Sequence, residues 1–257
     1  MRAGRVLLRA LVACALLFAT LPARALTVTV GAEDDWFPFS GVVGGEVRGL
    51  GVDLVRAAFE AAGVDVKLQI LPYSRCVELV KRGELVACFD TVRNSTTEKD
   101  FVWPREPLFR PFVAIYATSA SSARNLAVAD LEHRRVIVTR AYEYGESFDA
   151  NPRINRVVAG RDVAGFRMLA AGRGEYMVAY AKVADEVLRR AGDELARSVR
   201  QVGIASQVDI YLAFSHKHPQ RAQMLELFDQ GFAQLKRNGR YREIERHWRA
   251  TTEISRQ

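Results

Sequence analysis

Strand-like and helix-like segments alternate along this chain, and this alternation restricts its fold more than any other feature. Apolar residues recur at every second position in "LTVTVGA" (26–32), as in a strand. "GVDLVRAAFEAAG" (51–63) has the apolar spacing of a helix that ends at Gly63, and "VDVKLQILP" (64–72) again has strand character. This succession predicts a layered α/β fold.

The alternation continues to the end of the chain. "YSRCVELVKRG" (73–83) predicts a helix ended by Gly83, and "ELVACFD" (84–90) predicts a buried strand. The later predicted elements are, in order, strands at 109–118 and 134–140, a helix at 163–174, a strand at 175–181, and two helices in 219–248 separated by Gly239.

A short sequence motif occurs once in each half of the chain. "RGELVACF" (82–89) and "RGEYMVAY" (173–180) both carry Arg-Gly-Glu before an apolar strand that ends in an aromatic residue. We expect the glycine of each copy to end a helix in the left-handed conformation. This repeated Arg-Gly-Glu motif favours two lobes of similar construction.

The first 25 residues have the features of an export signal. A basic start precedes an apolar run from Ala10 to Leu21, and small residues follow at Ala23 and Ala25. The run is too short for a membrane span, which needs about 20 residues. We therefore expect cleavage after Ala25 and a periplasmic protein. "LVAC", ending at Cys14, is the alternative of a lipoprotein signal.

Loss of this segment changes the charge balance. The formal net charge falls from +7 to +3, because four arginines leave with the signal: Arg2, Arg5, Arg9 and Arg24. The rest of the chain has no run of lysine and arginine interleaved with aromatic residues, so we expect no nucleic-acid partner.

The cysteines and histidines bear on disulfide and metal chemistry. Cys76 on a predicted helix and Cys88 on the next strand could pair in an oxidising compartment, provided that their Cα atoms come within about 7 Å. The sequence leaves this open. Zinc-site spacing is absent among the histidines, so we expect neither a metal nor another cofactor; they are His133, His216, His218 and His247.

A polar stretch follows one buried strand. "FDTVRNSTTEK" (89–99) begins in the strand and becomes rich in hydroxyl groups, with Asp90, Thr91 and Arg93 at its start. Open α/β sheets bind ligands at the carboxyl ends of their strands. The stretch is therefore predicted to form one wall of a binding site.

Five segments in order resemble one known family. They are "GAEDDWFPFS" (31–40), "EVRGLGVDLVRAAFEAAG" (46–63), "LVKRGELVACFD" (79–90), "FVWPREPL" (101–108) and "LKRNGRYREIERHW" (235–248). Together they resemble the periplasmic solute-binding proteins of polar-amino-acid ABC transporters, family 3.

The resemblance implies a two-lobed periplasmic-binding-protein fold of type II, with a ligand cleft between the lobes and two crossover strands. Lobe 1 would contain residues 26–115 and 209–257, and lobe 2 residues 116–208. The implied protein is a monomer and not an enzyme. It captures a small polar solute, amino-acid-like or carboxylated, and delivers it to a membrane permease.

The resemblance also places ligand-binding residues. The aromatic side chain that stacks on the ligand falls on Trp36, with Glu33 at a neighbouring polar position. Tyr73 follows a strand and is placed similarly. Asp90 and Thr91 occupy strand-end positions that offer polar groups to the ligand.

Two family positions differ in this chain. The arginine that grips the α-carboxylate of the ligand would fall on Glu98, or on Lys99 or Asp100 with one inserted residue. The acidic residue that receives the α-amino group falls on Tyr180. Arg93 is the candidate replacement for the missing arginine.

The second half adds three candidates after the strand "VIVT", namely Arg140, Tyr142 and Glu143. If Arg93 and Arg140 face each other, a carboxylated ligand is expected.

Two other functions remain as alternatives. Some proteins of this fold resemble periplasmic cyclohexadienyl dehydratases, in which a carboxyl group acts as a general acid; Glu143, Glu33 and Asp90 would be the candidates. The third hypothesis is a ligand-sensing protein that acts on a receptor.

The signal predicts a defined mature chain. Removing the first 25 of 257 residues leaves 232, so the exported protein should begin at Leu26. Intact mass spectrometry should give the mass of this chain, lower by two hydrogen atoms if Cys76 and Cys88 are bonded. A lipid-modified Cys14 would contradict the prediction.

Overall fold

A computed structural model of the chain describes the backbone of residues 26–254 and the side chains of residues 26–250. The predicted export signal and Cys14 lie outside the described residues, so both stay predictions. No helix in the described range is long and apolar enough to span a bilayer.

The strands and helices have the following bounds. The strands are β1 (Leu26–Glu33), β2 (Asp35–Trp36), β3 (Ser40–Val43), β4 (Glu46–Arg48), β5 (Val64–Leu71), β6 (Ala87–Val92), β7 (Phe112–Thr118), β8 (Arg135–Thr139), β9 (Asn155–Ala159), β10 (Tyr176–Tyr180), β11 (Val199–Gln207) and β12 (Ile210–Phe214). The α-helices are α1 (Leu50–Ala61), α2 (Tyr73–Arg82), α3 (Glu146–Asp149), α4 (Asp162–Ala170), α5 (Ala181–Ala191), α6 (Asp193–Ser198), α7 (Arg221–Asn238) and α8 (Arg240–Ile254).

Two larger sheets define two lobes. The sheet of the first lobe has the order β12-β6-β1-β5, and that of the second lobe has the order β11-β7-β10-β8-β9. A small sheet, β2-β3-β4, follows β1. The central strands pair in parallel, β1 with β5 and β6, and β8 with β9 and β10, which places their carboxyl ends at one edge of each sheet.

The chain passes between the lobes twice. The first passage lies between Val92 and Phe112, and the second between Gln207 and Ile210. The expected lobe boundary at residue 115 is wrong, because all of β7 pairs with β10 and β11 in the second sheet. The apolar β7 segment continues straight through residue 115, so its sequence does not mark the change of lobe.

The two glycines of the repeated Arg-Gly-Glu motif differ in backbone conformation. Gly83 ends α2 in the left-handed conformation, with φ of 84°. The same expectation for Gly174 is wrong: α4 ends at Ala170, and the left-handed residue is Gly172, with φ of 70°. Gly174 instead packs against β8, since an added Cβ would lie 2.6 Å from Cγ1 of Ile137.

The disulfide that the sequence left open is present. Cys76 in α2 and Cys88 in β6 are bonded, with their Cα atoms 6.0 Å apart. Both side chains are fully buried. The bond ties α2 to the strand that carries Asp90 and Thr91, and so holds two predicted site elements in one frame.

Helices α1 and α7 pack closely in the first lobe. Phe59 and Phe228 contact each other there with ring centroids 5.4 Å apart. Gly231 permits the approach, because a Cβ at this position would lie 1.8 Å from the carbonyl oxygen of Ala58.

Gly231→Ala should therefore lower the free energy of unfolding by about 1–3 kcal/mol, since the helices must separate to admit the methyl group. Urea titration would measure the change. The matched control is Gly160→Ala, an exposed glycine with no atom within 4 Å of its added Cβ. Equal stability of the two variants would contradict this account of the helix contact.

Candidate ligand-binding cleft

The first wall of the cleft follows the carboxyl end of β1. Glu33 is the last residue of this strand and is buried, with 4% of its surface exposed. Trp36 follows in β2 and is also buried; its ring meets Tyr180 of the second lobe edge-on, with centroids 4.9 Å apart. The predicted aromatic residue is thus a contact between the lobes.

The second wall is the end of β6. Asp90 and Thr91 are both buried there. Asp90 has a left-handed backbone, with φ of 73°, a conformation that few residues other than glycine adopt. The following turn reaches the second lobe: the Asn94 side chain donates to Asp149 at 2.9 Å, and the backbone N–H of Ser95 donates to Glu146 at 2.8 Å.

The wall from the second lobe follows the carboxyl end of β8. Left-handed Ala141, with φ of 64°, turns the chain after this strand. Tyr142 and Glu143 come directly after the turn. Tyr180, at the end of the neighbouring strand β10, donates from its hydroxyl to the backbone carbonyl of Glu143 at 2.6 Å.

Two hydrogen bonds cross the cleft in opposite directions. The Tyr142 hydroxyl of the second lobe donates to the Glu33 carboxyl of the first. The Tyr73 hydroxyl, at the start of α2 in the first lobe, donates to the Glu143 carboxyl of the second at 2.8 Å. Each lobe therefore supplies one tyrosine donor and one carboxyl acceptor to the other.

A pocket of about 50 Å³ lies between these elements. It is lined from both lobes by Glu33, Asp34, Asp35, Pro72, Tyr73, Ser74, Thr139, Arg140, Tyr142, Gly160, Arg161 and Asp162. The lining is polar: four of its twelve residues are acidic, and its two arginines are exposed. Within residues 26–254, no three His, Cys, Asp or Glu side chains are grouped so that they could hold a metal ion.

The carboxyl groups of the cleft have raised pKa values. Burial is the main cause for Glu33, whose pKa lies well above 4.5, and the hydrogen bond from Tyr142 opposes the shift. Burial likewise raises the pKa of Glu143 to about 8 and that of Asp162 to about 6. The pKa of Asp90 is raised well above 3.8, again by burial. These groups hold protons at higher pH than exposed carboxyls do.

An outer set of ion pairs joins the lobes at the mouth of the cleft. The Arg161 guanidinium lies 2.8 Å from Asp34 and 2.9 Å from Asp35. It is 47% exposed, and an ion pair screened by water in this way contributes little to stability. Its geometry nonetheless shows that the lobes meet at the mouth as well as inside.

Comparison with known proteins agrees with this geometry. Residues 28–251 match the bacterial extracellular solute-binding proteins, family 3. The chain belongs to this family. No curated protein sequence matches it significantly.

Solved structures share the fold of this solute-binding protein. One is a histidine kinase sensor domain with similarity to periplasmic binding proteins, 22% identical, with a TM-score of 0.73; the match covers 88% of this chain and 96% of that one. Another is ArtJ, an arginine-, lysine- and histidine-binding protein from Geobacillus stearothermophilus, 19% identical, with a TM-score of 0.70, covering 86% and 94%. A variant of ArgBP from T. maritima is 18% identical, with a TM-score of 0.72, covering 87% and 95%.

The structure brings most of the predicted site residues of the solute-binding protein together. Seven of them lie at the facing strand ends, where they line the pocket or contact one another: Glu33, Trp36, Tyr73, Arg140, Tyr142, Glu143 and Tyr180. Asp90 and Thr91 lie near the end of the neighbouring strand β6. Arg140 is exposed at the mouth.

Arg93 does not enter the cleft, and the expectation that it faces Arg140 is wrong. Its guanidinium pairs with Glu98 through two bonds of 2.5 and 2.7 Å and is 43% exposed. Glu98 is one of the three residues on which the carboxylate-gripping arginine of the family was expected to fall, with Lys99 and Asp100. The acidic side chain of Glu98 holds Arg93 on the outer surface of the turn.

Sequence reasoning missed Asp162, Tyr144 and Arg161. Asp162 is buried at the start of α4 and accepts a hydrogen bond from Thr139, while the Tyr144 hydroxyl accepts one from the Thr139 N–H at 2.7 Å. Asp162 and Arg161 follow the end of β9, "NRVVA", which the sequence analysis did not recognise as a strand. Recognition of that strand would have pointed to both residues.

The raised pKa of Glu143 predicts a stability change with pH. Between about pH 4.5 and 8 the unfolded chain releases a proton that folded Glu143 retains, so the free energy of unfolding should fall as pH rises, by up to about 1.4 kcal/mol per pH unit. Glu143→Gln has no such proton, so its free energy of unfolding should fall less over the same pH range.

Urea titrations at pH 5 and pH 8 would measure this difference. Glu33, Asp90 and Asp162 shift in the same direction, so part of the fall should remain in the variant. The control is Glu46→Gln, at an exposed position, which should keep the whole fall. An identical pH dependence in Glu143→Gln and the wild type would count against protonated Glu143.

Proposed function

We propose that this protein captures a small polar, amine-bearing solute in the periplasm and delivers it to the membrane permease of an ABC transporter. The observation that carries the proposal is the reciprocal pair of hydrogen bonds across the cleft, Tyr142 to Glu33 and Tyr73 to Glu143. They join two lobes at the ends of their strands, where an enclosed solute would contact both.

The two passages between the lobes would act as a hinge. A solute that contacts both walls favours the closed arrangement, because it gains interactions there that the open arrangement does not offer. The closed form would then present a surface from each lobe to the permease.

The chemistry of the solute is supported by the acidic lining of the pocket. Carboxyl groups and tyrosine hydroxyls accept hydrogen bonds from N–H groups, and amines provide them. ArtJ, which shares the fold, binds arginine, lysine and histidine, solutes that carry such groups.

A sensor role is the second candidate. The solved structure of a histidine kinase sensor domain, matched over 88% of this chain, supports it. A sensor and a transport protein can use the same cleft, and they differ in the partner protein that binds the closed form.

An enzyme of the cyclohexadienyl dehydratase type is the third candidate. With a pKa raised to about 8 by burial, Glu143 keeps its proton at neutral pH and could donate it as a general acid. Incubation with prephenate or arogenate, followed by a search for the dehydrated product, would test this role.

Solute binding predicts stabilisation of the folded chain. A solute at 100 times its dissociation constant should add about 2.7 kcal/mol to the free energy of unfolding. Native mass spectrometry of protein purified without refolding would identify a retained solute, and thermal shift against amino acids, amines and carboxylates would rank the classes. The absence of any shift across the three classes would contradict the proposed function.

Transport and sensing need a separate experiment. Uptake of the labelled solute by cells should be lost when the gene for this chain is deleted, if the protein serves a permease. Unchanged uptake, together with a lost transcriptional response to the solute, would favour the sensor role.

A further inference from the structure

Asp90 is a buried carboxyl group without a partner. It is 5% exposed, and neither of its carboxyl oxygens has a hydrogen-bond partner among the described residues. An unpaired buried polar group destabilises a fold, whereas the left-handed backbone of Asp90 is one that aspartate tolerates. Such an unpaired group, retained beside a ligand cleft, is expected where a ligand supplies the missing hydrogen-bond donor.

Aromatic rings adjoin this carboxyl group. A Cβ added at Gly51 would lie 3.0 Å from Oδ1 of Asp90 and 3.4 Å from Cε1 of Phe109. The carboxyl group and the Phe109 ring therefore lie on either side of the same position next to Gly51. Phe109 belongs to a group of rings with Phe39, 4.8 Å away, and Trp36, 6.2 Å away. Within the part of the chain that the structure describes, the Trp36 indole N–H also has no hydrogen-bond partner.

A carboxylate beside aromatic faces is suited to a positively charged nitrogen. A bound cation favours the ionised form of the carboxyl group, which then supplies the counter-charge. The faces of tryptophan and phenylalanine attract the cation through their quadrupoles. Tyr180 closes the group from the second lobe, edge-on to Trp36 at 4.9 Å. A cation held here would contact both lobes.

The cleft has no buried cationic side chain, among the described residues, to pair with a carboxylate. No lysine, arginine or histidine is among the buried residues of the described range, whereas Glu33, Asp90 and Asp162 are buried acids. Arg93 is paired with Glu98 outside the cleft, and Arg161 is paired with two aspartates at its mouth. A ligand carboxylate would meet buried acids without a bidentate partner.

We infer that the solute is an organic cation that lacks a carboxylate, and that its charged nitrogen binds Asp90 beside Trp36 and Phe109. This inference rests on the proposed solute-binding function and narrows its ligand class. It departs from the carboxylated solute that the sequence suggested.

Matched pairs of solutes test the inference on the wild-type protein. Agmatine differs from arginine, putrescine from ornithine and cadaverine from lysine only by the absence of the carboxylate. Titration calorimetry should show the carboxylate-free member of at least one pair binding about 10-fold or more tightly than its amino acid, because the amino acid must bury an unpaired carboxylate.

Tighter binding of the amino acid in every pair that binds would overturn the inference and leave the proposed function in place. Binding of no member of any pair, and of no other amine, amino acid or carboxylate, would overturn both. These comparisons need no variant, so a folding defect cannot obscure them.

Substitution of Asp90 tests the residue itself. Asp90→Asn retains the shape of the side chain, and asparagine tolerates the left-handed backbone, so the fold should persist. The variant should bind the selected amine about 30-fold or more weakly, the loss expected when a charge-assisted contact is removed from a buried site. The matched control is Asp65→Asn, which removes one exposed acid of the first lobe and should leave the affinity unchanged.

Unchanged affinity in Asp90→Asn would overturn the inference, since it would mean that water rather than the solute is the partner of Asp90. A large loss in Arg140→Gln for the same amine would also overturn it, because this exposed arginine could only assist an anionic group.

Discussion

Each lobe donates one tyrosine hydroxyl to a carboxyl group of the other: Tyr142 to Glu33, and Tyr73 to Glu143. The arrangement depends on strands that end at facing sheet edges, since Glu33 ends β1, while Tyr142 and Glu143 follow β8. It also depends on α2, which begins at Tyr73 and is tied to β6 by the Cys76–Cys88 bond. A shift of either lobe would break both hydrogen bonds.

The charges of the cleft are divided between inside and outside. The buried titratable groups are carboxyls and tyrosine hydroxyls, and burial raises the pKa values of both kinds. The arginines nearest to them are exposed, and Arg161 is paired with two aspartates. The exposed pairs contribute little free energy because water screens them. Under the proposed function, the interior would select among solutes, while the outer pairs join the lobes at the mouth. This division supports the inferred preference for cations.

Much of the site could be predicted because strand ends are local features of the sequence. Glu33, Asp90 and Tyr180 each end or nearly end an apolar segment, and such positions converge at one edge of a parallel sheet. Arg93 could not be placed in the same way. Its direction depends on Glu98 five residues later, which binds the guanidinium on the outer side of the turn.

The sequence by itself determined the α/β architecture, the family and most of the strand ends that meet in the cleft. These follow from hydrophobic periodicity and from glycines that end helices, both of which are patterns over a few residues. Tertiary structure decided which lobe β7 joins and that the Cα atoms of Cys76 and Cys88 lie 6.0 Å apart. It also decided that Arg93 pairs outside the cleft, while Asp90 is buried with no partner among residues 26–250. Such outcomes depend on contacts between segments far apart in the chain, and no local pattern of residue types encodes those distances.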